Sequence, residues 1–74
     1  MNKSMVLRMA ILAVDGVYYH CAYEESYHDC KEIEGMKQWA LDTLEVLKNN
    51  KISNDDIIRI VELAEQYNVE INKY

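Results

Sequence analysis

The feature that most constrains the fold is an apolar run at residues 5–14 (MVLRMAILAV), which is followed directly by Asp15 and Gly16. Arg8 is the single charged residue in this run, so most of its side chains need burial. Either a helix or one strand of a β-hairpin could provide that burial. Whether residues 5–14 form a helix or a strand decides the fold class of the chain.

We favour the β-hairpin. Asp15 and Gly16 both tolerate a positive φ, and together they suit a two-residue hairpin turn. The segment that follows, residues 17–23 (VYYHCAY), is rich in side chains that favour strands. With this turn Val14 pairs with Val17, and the two segments form antiparallel strands with one face available for packing on helices.

The alternative is a helix over the same run. Its residues are mostly strong helix formers, Ser4 could act as its N-cap and Gly16 could follow its end. Such a helix is apolar all the way round and requires burial on every side. A chain of 74 residues can hardly surround one.

A first helix is predicted after the polar segment that follows the hairpin. Asp29 as N-cap and Glu32 at the third helical position would begin it, and the asparagines at 49–50 would end it. Trp39 lies at the centre of the apolar face at 100° per residue. The members of this face are Ile33, Met36, Trp39, Ala40, Thr43, Leu44, Val46 and Leu47.

A second helix has the clearest start in the chain. Ser53 is the predicted N-cap, with Asp56 three residues on, and Ile52 can pack on Ile57 as a hydrophobic staple. The short connection before Ser53 makes the two helices antiparallel neighbours. The predicted apolar face comprises Ile57, Ile60, Val61, Ala64 and Tyr67, widened by Ile58 and Leu63.

These elements predict a small α+β domain. The alternation at residues 69–71 (VEI) indicates a third short strand, and the architecture is then ββααβ within one compact domain over residues 1–74. The alternative fold class is an all-α three-helix domain.

Charge and composition exclude several classes of function. The net charge of −5 argues against a protein that binds nucleic acid directly, since such proteins present a basic face. Ten apolar residues are too few to span a bilayer, and no signal-peptide cleavage site follows them. We therefore expect a cytoplasmic protein with free thiols and no membrane partner.

The reactive side chains cluster at His20, Cys21, His28 and Cys30. Zinc sites use ligands in pairs two to four residues apart, and adjacent His20 and Cys21 would point to opposite faces of a strand. A small metal-binding domain is therefore less favoured than an interaction protein or a self-associating subunit. No phosphate-binding glycine loop or nucleophile motif is present, so we predict no enzyme activity and no cofactor.

Tyrosines and carboxylates dominate the middle of the chain. Tyrosine is enriched in protein interfaces, and surrounding carboxylates would steer a basic partner. We predict a non-enzymatic protein–protein interaction module, such as a phage-encoded inhibitor of a host nucleic-acid-handling or defence protein. The abundance of Lys, Asn, Ile and Tyr, which have AT-rich codons, suggests a low-GC bacterium or one of its phages as the source. The alternative is a self-associating homodimeric subunit. The predicted partner-binding residues are Tyr18, Tyr19, Tyr23, Glu24, Glu25, Tyr27, Asp29 and Glu32.

Overall fold

The computed structural model describes residues 2–49 and 51–74, which form three α-helices. The helices are α1 (Lys3–Tyr23), α2 (Lys31–Lys48) and α3 (Asn54–Ile71), and a short 3₁₀ turn at Glu25–Tyr27 lies between the first two. No strand occurs in either described range. The predicted α+β class is therefore wrong, and the three-helix alternative is correct.

The predicted hairpin is one continuous helix. Asp15 and Gly16 lie in the interior of α1, and the segment predicted as the returning strand is its C-terminal third. The objection to a helix was that it would need burial on every side, but α1 is buried on one side only. Small or β-branched side chains lie on that side: Val6, Ala10, Val14, Val17 and Cys21.

A substitution at Gly16 distinguishes the helix from the hairpin by the sign of its effect. A Cβ at Gly16 would lie 3.8 Å from the Asn68 side chain, which is an ordinary contact. Gly16→Ala should therefore raise the free energy of unfolding by about 0.5–1 kcal/mol, because alanine favours helix. At a hairpin position with positive φ the same change would be destabilising. Urea unfolding measures the difference, and Gly35→Ala, in open space on α2, is the control with a similar expected gain.

α1 is the central helix of the bundle. It packs closely on both α2 and α3, whereas those two helices have few close approaches to each other. The small residues on its buried side explain the close packing, since they let two backbones approach. Asn2, and not Ser4, is the N-cap, and its side-chain oxygen accepts a hydrogen bond from the Met5 amide at 2.9 Å.

α2 begins one residue later than predicted. Cys30 is the N-cap position and makes no side-chain capping bond, so the predicted capping pair of Asp29 and Glu32 is wrong. Glu32 still lies in the first turn, where its charge suits the positive end of the helix. The helix ends at Lys48, and its C-cap, Asn49, has a right-handed backbone conformation rather than the left-handed one that asparagine tolerates. Asn50, the other predicted terminator, lies outside the described residues.

The buried face of α2 is narrower than the predicted one. Ile33, Ala40 and Leu47 lie along its centre and are fully buried. Trp39 is displaced to the edge, where it is half-buried and contacts Tyr67 of α3 edge-to-face with ring centroids 4.9 Å apart. Val46, predicted on this face, is exposed.

α3 starts as predicted and runs further than predicted. The Ser53 hydroxyl accepts a hydrogen bond from the Asp56 amide at 3.2 Å, which confirms it as the N-cap. The predicted strand at residues 69–71 is wrong, because these residues form the last turn of α3. Ile71 completes a fully buried line with Ile57 and Ala64 at steps of seven residues, or two helical turns.

The Ser53 cap should be measurable by substitution. Ser53→Ala removes the hydrogen bond to the Asp56 amide and should lower the free energy of unfolding by about 1 kcal/mol, whereas Ser53→Gly should cost only a few tenths. Chemical denaturation of both variants checks the difference. Equal losses would mean that the hydroxyl does not cap the helix in solution.

Candidate interaction surface

The outward side of α1 carries a row of large apolar side chains that we call the α1 stripe. Each member is between 47% and 66% exposed, although α1 also supplies the centre of the core. Exposed apolar side chains that stand singly are normal in soluble proteins, but a contiguous patch marks an interaction site. The members of the stripe are Met5, Met9, Leu12, Tyr19 and Tyr23.

The spacing of the α1 stripe is that of a helix–helix seam. With Gly16 included, the positions are 5, 9, 12, 16, 19 and 23, which alternate steps of four and three residues. This pattern keeps one narrow apolar line facing a partner helix. The sequence alone does not single out these positions, because most of the residues between them at 5–14 are apolar as well.

A groove of about 500 Å³ runs between the N-terminal half of α1 and α3. Its apolar walls are formed by Val6 and Met9 of α1 and by Ile58 and Val61 of α3. Acidic residues form its rim on the α3 side: Asp55, Glu62 and Glu65. Met9 of the α1 stripe and exposed Ile58 of α3 therefore border the same groove.

A second depression, of about 920 Å³, follows the outer surface of α3. All of its lining residues belong to α3, including Glu62, Glu65 and Glu70. A depression bounded by one helix is open to solvent and offers little burial to a ligand. The surface shared by α1 and α3 is therefore the better candidate site.

The structure divides the tyrosines that the sequence predicted as partner-binding. Tyr19 and Tyr23 are exposed on the α1 stripe, with ring centroids 5.1 Å apart. Tyr18 and Tyr27 are half-buried and pack against the core. Of the four predicted tyrosines, Tyr19 and Tyr23 therefore expose most of their surface to a partner.

The predicted carboxylates are all exposed but do not form one cluster with the stripe. Glu24 and Glu25 follow the end of α1, next to Tyr23, while Asp29 and Glu32 lie at the start of α2. The Cys30 thiol donates a hydrogen bond to Glu32 Oε2 at 3.2 Å, which lowers the pKa of that carboxyl. Their assignment to partner binding stays a prediction.

The cysteines and histidines that lie close together in the sequence do not form a metal-binding cluster in the described residues. Cys21 is buried in the core, and burial raises the pKa of its thiol, with a smaller raising effect of Glu34 and an opposing one of Lys37. A protonated thiol is a poor nucleophile and a poor metal ligand. Within residues 2–49 and 51–74, no three histidine, cysteine or acidic residues are placed to hold a metal ion.

α1 is long and apolar enough to cross a membrane by length and composition alone. The core helix of a soluble domain and an N-terminal signal segment share these two properties. Length and composition therefore do not distinguish a membrane span from a core helix or a signal segment. The cytoplasmic localisation inferred from the sequence stays a prediction.

Comparison with known proteins adds no assignment. No family model matches the chain, and no curated protein or solved structure matches it either. A functional proposal must therefore come from the surface itself.

Proposed function

We propose that the protein is a non-enzymatic, self-associating subunit whose working unit is a homodimer formed through the α1 stripe. The observation that carries this proposal is the row of exposed apolar residues on one side of the central helix, at positions 5, 9, 12, 19 and 23, with Gly16 between Leu12 and Tyr19. Such a row is the usual seam between packed helices. The described residues form no strand, so a second copy would pack on helices, and the α1 stripe offers it an exposed apolar surface.

The size of the face supports a second copy as the occupant. The molecule measures 38 × 20 × 15 Å, so a long face of it covers roughly 600–800 Å² in projection, which is of the same order as the ~800 Å² that each partner buries in a standard interface. A small domain also gains most from association, because it buries little of its own surface. A two-fold dimer uses the same patch twice, so one apolar face is sufficient.

The test is a matched pair of leucine substitutions measured by sedimentation equilibrium. The parent should associate within the range of about 1 μM to 1 mM, and Leu12→Gln should weaken its dimer by about tenfold or more, since each dimer loses two buried leucines. Leu12 is exposed in the single copy, and glutamine is as good a helix former as leucine, so the variant should fold. Leu41→Gln, an exposed leucine on α2 outside the stripe, should leave association unchanged.

Three outcomes would overturn the proposal. The parent could remain a monomer throughout the concentration range. Both leucine variants could weaken association equally, which would point to a nonspecific contact. The monomer could instead float with lipid vesicles in a density gradient, in which case a membrane would be the occupant of the α1 stripe.

Binding of a basic protein partner, the function first predicted from the sequence, is the second candidate. The observation that favours it is the exposed pair Tyr19 and Tyr23 beside exposed Glu24 and Glu25. Carboxylates would steer such a partner, and the rings would supply the buried contact. Neutralising Glu24 and Glu25 to glutamine should then slow association with the partner and leave self-association intact.

A further inference from the structure

The surface that would meet a second copy contains two helices that run in the same direction. Val6 and Met9 border α3 residues of its first half, such as Ile58, and Gly16 lies level with Asn68 near its end. α1 and α3 therefore run parallel to each other. This is expected for a three-helix bundle in which α2, the second helix along the chain, runs antiparallel to both. If the two-fold axis of the dimer is parallel to both helices, residues at the same height along the bundle lie opposite each other in the two copies.

The two helices carry opposite charge. α1 has two basic residues, Lys3 and Arg8, against Asp15, whereas α3 has five carboxylates and one arginine. A face-to-face pairing that set α3 on α3 would bring Glu62 and Glu65 of both copies together, and like charges at an interface are destabilising. A pairing that sets α1 on α3 of the other copy avoids this repulsion.

Arg8 and Glu62 lie at the two opposite outer edges of the surface that α1 and α3 form together. At about 100° per residue, Arg8 lies about 100° from Met9 and about 160° from Val6, on the side of α1 that faces away from its own α3. Glu62 lies about 100° from Val61, on the outer rim of the groove and further round α3 from its own α1 than Val61. Both side chains are exposed.

We infer that, in the proposed homodimer, α1 of each copy packs in parallel on α3 of the other copy, with Arg8 facing the partner's Glu62. Since Gly16 lies level with Asn68, Arg8 lies level with residue 60, about two residues or ~3 Å from Glu62 along the axis. The same pairing sets the exposed Tyr19 near the level of exposed Val69 on α3 of the other copy. This arrangement rests on the proposed self-association and specifies its geometry.

The experiment uses two single charge reversals, Arg8→Glu and Glu62→Lys. Each homodimer then contains two like-charged contacts, so its dissociation constant should rise about fivefold or more at low ionic strength. A mixed dimer of the two variants contains one Glu–Lys and one Arg–Glu contact, both of opposite sign. Native mass spectrometry of an equimolar mixture, with one variant isotopically labelled, should show heterodimer well above its statistical share.

Two controls accompany the mixture. Lys31→Glu and Glu45→Lys reverse exposed charges on α2, and a mixture of these two should give the statistical share of heterodimer. Circular dichroism of every variant checks that the helices are retained. A parent that dimerises while the Arg8→Glu and Glu62→Lys mixture stays statistical would overturn the arrangement and leave self-association standing. A parent that stays monomeric would overturn both.

Discussion

Leu47→Ala is expected to abolish the folded state at room temperature or to leave it barely populated. Leu47 is fully buried in the core near the end of α2, and truncating a buried leucine costs about 2–5 kcal/mol. A domain of this size rarely holds more than about 3–5 kcal/mol of stability in total. The variant should therefore lose most of its helical circular dichroism signal, or melt far below the parent.

Leu41→Ala provides the matched control on the same helix. Leu41 is 40% exposed, compared with 0% for Leu47, so its truncation should cost about 1 kcal/mol or less. Both substitutions place alanine in a helix and therefore share the same change in helix propensity. Comparable losses at the two positions would mean that the face of α2 that packs on α1 is different from the one described.

Trp39→Ala is the second large effect, and it should be smaller than the central position predicted from the sequence would imply. Trp39 is half-buried at the edge of the core, so the expected loss is about 2–3 kcal/mol rather than the ~3–5 kcal/mol of a fully buried ring. Part of this loss comes from the edge-to-face contact with Tyr67, at an interplanar angle of 82°. Such ring pairs contribute about 0.5–1.5 kcal/mol beyond their buried area.

A double-mutant cycle separates the ring contact from the rest. Trp39→Ala, Tyr67→Ala and the double variant should show a coupling free energy of about 0.5–1.5 kcal/mol in urea denaturation. If the losses simply add, the two rings do not interact in solution. Tyr67→Ala alone keeps Trp39, whose fluorescence then reports whether its surroundings became wetter.

The predictions that held are the N-cap of α3 and the centre of the buried face of α2, whereas the predicted capping pair of α2 and the strand at residues 69–71 are wrong. Ser53 is the N-cap because a short side chain at that position can satisfy a free amide without help from the rest of the chain. The buried positions of α2 follow the 3.6-residue period, and Ile33 and Leu47 were placed correctly. The errors there, at Trp39 and Val46, concern how wide the covered face is.

The candidate surface was predicted only in part. Tyr19 and Tyr23 were among the predicted partner-binding residues and are exposed, which leaves them accessible for that role. Met5, Met9 and Leu12 were not proposed together, because a strand assignment puts Leu12 on the opposite face from Met5 and Met9. On a helix they lie on one side.

The sequence was sufficient to locate the start of α3 and the centre of the buried side of α2, because polar and apolar residues alternate there with a helical period. It was not sufficient for residues 5–14, since a run with Arg8 as its single charged residue has no polar side from which a period can be read. The packing of the three helices resolves that choice. Two neighbouring helices cover the side of α1 with small residues, and that burial stabilises the helix while the side with Leu12 stays exposed.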